Sequence, residues 1–125
     1  MKRSTAPGHT VRDLIAWQKG MAVAEEVHRL TRSFPPEERF GPVIQCRRAA
    51  TSIVANIAEG HGRETRSYFV QFLRIAQGSA AELDTELELS RRLGFLNDES
   101  WEFVHEQLDH TIRLIVKLRR SIARE

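Results

Sequence analysis

The sequence predicts an all-α fold, an up-down-up-down antiparallel four-helix bundle. Apolar residues recur at three- and four-residue steps through four long segments, no segment alternates with period two, and glycine and proline are scarce. The 7 glycines and 4 prolines gather mainly in residues 1–8, around Pro35 to Pro42, and at Gly60 to Gly62, so the chain is punctuated into helices joined by short connections. Helices of about 18 to 30 residues would form a rod roughly 30–40 Å long at 1.5 Å per residue.

Each element follows from local chemistry. Residues 1–9 are expected to be a flexible basic arm carrying Lys2 and Arg3, with residues 10–125 forming one bundle domain. Thr10 with Asp13 three positions on has the form of a capping box, which would open a first helix running to about Arg32. Leu14, Trp17, Met21, Ala24, Val27 and Leu30 mark its expected buried stripe, and Arg12, Lys19, Glu26 and Arg29 its wet face. Pro35 and Pro36 stop it, because proline lacks an amide hydrogen and its ring clashes with the preceding turn. A second helix over about 42–59 carries Val43, Cys46, Ala50, Ile53 and Ile57, with Gly60 as its expected C-terminal cap. A third, from near Thr65 to near Gly94, carries Phe69, Phe72, Leu73, Ala76, Ala80, Leu83, Leu87 and Leu93. Its small residues from Ala76 to Ala81 should let a neighbouring backbone approach. Asn97 or Asp98 would cap a fourth helix with a seam of Trp101, Val104, Leu108, Ile115, Leu118 and Ile122, Thr111 being its one polar member.

Composition narrows the function. At 125 residues, 41% hydrophobic and 29% charged, the chain has the size of one domain and is too apolar for disorder. No apolar block follows the charged start and none approaches membrane-spanning length, so neither export nor a membrane partner is expected. One cysteine closes no intrachain disulfide, and a reducing, cytoplasmic setting is the simple reading. No metal or cofactor is expected. His105 and His110 lie five residues apart, about 140° around a helix, and cannot chelate one ion. Cys46 lies on an apolar stripe, where a thiol serves as a small hydrophobe. The Gly60-His61-Gly62 loop lacks the preceding strand and the motif of a phosphate cradle, and reads as a tight turn. No set of converging titratable groups points to an enzyme.

Charge placement says more. Arg47 and Arg48 should lie level with Glu25 and Glu26 across one helix pair and near Glu82 across another, as an interhelical ion-pair layer. Asn56 and Glu59 should lie near Arg63 and Arg66. Glu82, Asp84, Glu86 and Glu88 form an acidic patch suited to a second subunit. Along the fourth helix the outer positions change sign, and Arg113, Lys117, Arg120 and Arg124 at spacings four, three and four make one basic stripe suited to tracking phosphates. Arg119, Lys2 and Arg3 are lesser candidates.

The segments Asp13 to Lys19, Phe34 to Gly41, Gln45 to Gly60 and Phe72 to Leu83 resemble the four-helix bundle proteins encoded in intervening sequences of bacterial 23S ribosomal RNA genes. That family is related to the accessory variability determinant of diversity-generating retroelements, a ring-shaped homopentamer that binds nucleic acid and a reverse transcriptase. The resemblance implies an up-down-up-down bundle, assembly as a ring-shaped homopentamer and no catalytic activity. It carries over Arg47, Arg48, Asn56, Glu59, Gly60, Gly78, Ser79 and Glu82 as family-motif residues, structural as much as functional. Cys46 departs from the family's usual hydrophobic residue, and the Lys2-Arg3 arm lies outside the shared pattern.

Two functions are therefore expected to compete. In the leading one, a non-enzymatic oligomer holds structured RNA or DNA through its basic surface, as an accessory to another protein. In the other, the chain is a protein–protein adaptor or structural oligomer without a nucleic-acid role, in which the acidic 82–88 patch meets the basic stripe of the next copy. Charge reversal at Arg113 and Lys117 breaks the assembly in the second case and leaves it whole in the first.

Overall fold

In the computed structural model the described residues are 10–124; the expected arm, with Lys2 and Arg3, lies outside them. Four helices, α1 (Ile15–Thr31), α2 (Pro42–Gly62), α3 (Arg66–Arg92) and α4 (Asp98–Arg124), make up the fold, with 3₁₀ turns at Val11–Asp13 and Pro36–Glu38. No strand occurs among the described residues. Each helix packs on its neighbour in the chain, and α1 closes the bundle against α4. Paired contacts fix the antiparallel sense. Gly60 lies against Phe69 and Phe72 while Ser52 reaches Ser79, so sequence numbers rise on α3 as they fall on α2. Asp84 meets His105 and Arg91 meets Trp101, which orients α3 and α4 likewise.

The core is apolar and continuous, with Val23, Val27, Ile53, Ile57, Leu73, Leu83, Leu108 and Ile115 closed off from solvent. Phe34 and Leu96, both buried, plug the end where the two longer connections lie. The stripes expected on α2 and α4 are the buried ones, Trp101 and Leu118 being only partly covered. On α3 the same holds except at Phe72, which is half-buried, and at Leu93, which is 54% exposed beyond the last turn.

Three expectations are corrected. The Thr10–Asp13 capping box forms, but it caps the 3₁₀ turn; α1 starts afterwards at Ile15, with Leu14 in extended conformation before it. The buried face of α1 is Ala16, Gly20, Val23, Val27, Leu30 and Thr31, while Leu14, Trp17, Met21 and Ala24 are only partly covered. The small residues let the helix sink: a Cβ at Gly20 would come within 2.8 Å of Val54 Cγ1. Gly60 does not end α2, which continues to Gly62; it is buried, and a Cβ there would lie 2.7 Å from Phe72 Cβ. Glycine serves close helix contact at that position rather than a left-handed cap. Gly94, with φ at +83°, plays the cap's part after α3.

Candidate nucleic-acid interface

Helix α4 starts where the Asn97 Oδ1 accepts from the Ser100 amide at 2.8 Å. Acidic side chains fill its first turns and cations its last, the order that the helix dipole favours. Arg113, Lys117, Arg120 and Arg124 are all exposed, and with Ile112 and Val116 they line one shallow hollow of about 420 Å³. Arg113 is held by Asp109 at 2.9 Å, one turn back. Arg119 stands apart from the stripe: it is half-buried, and its Nε is enclosed without a hydrogen-bond partner.

The family-motif residues act elsewhere. Arg47 Nε donates to Thr31 Oγ1 at 2.9 Å and its Nη2 to the His28 carbonyl at 3.4 Å, so it clasps the C-terminal turn of α1. The expected ion-pair layer is absent among the described residues, because Glu26 takes Arg29 on its own helix, and carbonyl oxygens at a helix end attract a cation without a carboxylate. Arg48 and Glu82 are exposed. Asn56 Nδ2 donates to the Ser52 carbonyl at 2.8 Å, and the Ser52 and Ser79 hydroxyls join α2 to α3 at 2.7 Å. Glu59 pairs with Arg63 at 3.1 Å as expected, and that guanidinium lies over Tyr68 and Phe72. Gly78 faces open space, so the close approach expected of its segment is made by Ala76, Ser79 and Ala80.

Two of the four residues of the acidic patch are engaged within the chain. Asp84 Oδ1 lies 2.9 Å from His105 Nδ1, and Glu88 takes both Arg91 and Arg92, which lower its carboxyl to a pKa of about 2. Burial raises the Cys46 thiol to about 11, so it is neutral in ordinary solution.

One property of the site was missed in the sequence. Antiparallel packing brings the start of α1, the end of α2, the start of α3 and the end of α4 to one end of the bundle. That half holds Arg12, Lys19, Arg63, Arg66 and Arg74 with the five cations of α4, against Asp13, Glu59 and Glu64 only, among the described residues. The opposite half holds thirteen acids against seven Lys and Arg. A formal charge of only +2 therefore conceals a basic pole and an acidic pole. The signal was available by assigning each charge to its end of an antiparallel helix.

These features define a class: a small antiparallel helical bundle with charge sorted to its two ends. The sequence matches the family described as 23S rRNA-intervening sequence protein over residues 12–117, and the chain belongs to that family. It is similar to a crystal structure of a protein of unknown function from the S23 ribosomal protein family of Bacteroides thetaiotaomicron VPI-5482. Identity is 26%, coverage is 85% of this chain and 96% of that one, and the TM-score is 0.79. No curated protein matches the chain. Neither description names a reaction. No helix among the described residues is long and apolar enough to cross a membrane.

Proposed function

We propose that the chain is a non-catalytic cytoplasmic module that holds structured RNA or DNA through its basic pole. It works as a ring-shaped homopentamer and as an accessory to another protein. The observation that carries this reading is the sorting of charge by the fold, with the Arg113, Lys117, Arg120 and Arg124 stripe at its centre. Phosphate backbones bind clustered cations by releasing counterions, so a local excess matters and the net charge of the whole chain does not. The family's description, tied to ribosomal RNA, is in keeping with such a ligand. The oligomeric part rests on the family resemblance and on apolar side chains left in solvent at the acidic pole, Leu89, Leu93 and Phe103.

Fluorescence anisotropy against structured RNA, single-stranded RNA and duplex DNA, over a range of salt, tests the reading. Wild-type protein should bind at physiological salt. Replacing the four stripe residues by glutamine should flatten the log–log salt dependence by about 0.9 for each duplex phosphate that is no longer neutralised, with the mass of the assembly unchanged. Unaltered binding by that variant would remove the surface assignment, and a wild type that binds only at low salt would favour the adaptor function.

A further inference from the structure

A hollow of about 680 Å³ lies between α1 and α2 and plays no part in the basic pole. Met21, Ala24 and Val54 supply its apolar lining, and its charged lining is Arg29, which pairs with Glu26 on its own helix, Arg32 and Arg47 against Glu25. This is a basic-edged apolar groove on the acidic half of the rod. Helix α4 carries the matching shape and charge on its outer side. Phe103 is 54% exposed, and Glu99, Glu102 and Glu106 stand beside it at steps that place all four on one face. The two features belong to different sides of the bundle, so a protomer cannot satisfy its own groove with its own Phe103.

We infer that Phe103 of one copy seats in the α1–α2 groove of the next, with Glu99, Glu102 and Glu106 facing the neighbour's Arg29, Arg32 and Arg47. The inference deepens the proposed self-assembly and rests on it. Register supports a second copy as the occupant. Gly20 of α1 packs beside Thr111 of α4, and the helices run antiparallel, so eight residues on along α1 and eight back along α4 bring His28 level with Phe103. His28 lines the groove. Two copies standing side by side with parallel axes therefore present Phe103 to the groove without sliding. Each copy gives one surface and receives on another, the heterologous contact that generates closed rings when its rotation closes. The basic poles take no part in the contact, and their like charge holds neighbouring poles apart.

Sedimentation velocity on the full chain tests this. Phe103→Ser removes the inserted side chain, and Thr51→Glu places an acid in the receiving groove; both positions are exposed, so the fold should persist by circular dichroism. Wild type should be oligomeric, and each variant alone monomeric, its association weakened at least a hundredfold. Mixed, the two variants should yield a one-to-one dimer and nothing larger, because one intact groove and one intact Phe103 remain between them. A Phe103→Ser variant that still assembles like wild type would overturn this interface while leaving self-assembly standing. A monomeric wild type would overturn both.

Discussion

Two glycines of the same sequence family motif do opposite things. At Gly60 an added methyl would meet Phe72 Cβ at 2.7 Å, the ring of buried Phe69 at 3.0 Å and the Phe69 carbonyl at 3.3 Å, and the first and last of these are fixed by the backbone. Overpacking of this kind costs about 1–3 kcal/mol, more than the roughly 0.5–1 kcal/mol by which alanine otherwise favours a helix interior. At Gly78 nothing lies within 4 Å, so only the backbone preference operates. Gly60→Ala should therefore lower the urea midpoint and Gly78→Ala should raise it, the latter through a gain in stability of about 0.5–1 kcal/mol. The sequence presents both as glycines near small residues. It does not distinguish them, because a close contact is a property of two helices. Arg47 teaches the same lesson: its charge was legible, but its actual partners are a hydroxyl and a backbone carbonyl, groups that say little in a sequence about which cation will find them.

At the scale of elements, hydrophobic spacing located all four helices, since an amphipathic stripe is written along one segment. It misplaced part of the buried face of α1, where the small Ala16 and Gly20 are buried and the bulkier Trp17 and Met21 stand at the margin. Ranking by size favours the wrong side whenever a helix sits close to two neighbours. Caps were read in part: the Thr10 box closes a 3₁₀ turn instead of opening α1, and Gly60 lies inside α2, but one of the two candidates for the fourth helix holds. Asn97 supplies the one for α4, and Asn97→Ala should cost about 1 kcal/mol in urea denaturation, with the slope unchanged. Thr65 does the same for α3 by accepting from the Tyr68 amide at 3.3 Å.

For the whole molecule, separation of charge matters more than its sum. The basic stripe was legible in the sequence because it lies on one helix; the pole was not, because its other members come from the far ends of three more helices. At about 1.5 Å per residue the 27 residues of α4 span roughly 40 Å, several times the screening length of about 8 Å at physiological salt. The acidic end is thus electrically remote from a ligand held at the other. Neutralising Glu37 and Glu38 together should change nucleic-acid affinity less than about twofold in anisotropy titrations at that salt, whereas Lys19→Gln at the basic end should weaken it measurably.

The junction of α3 and α4 has an optical consequence. The indole of Trp101 lies between the Arg91 guanidinium, 4.7 Å from its ring centre, and the His105 imidazole, stacked at 4.6 Å. These contacts set the surroundings in which the indole emits, and His105 also touches Asp84 on the opposite helix. With Trp17 replaced by phenylalanine, the emission of Trp101 therefore reports, without any added dye, whether the two helices are still together.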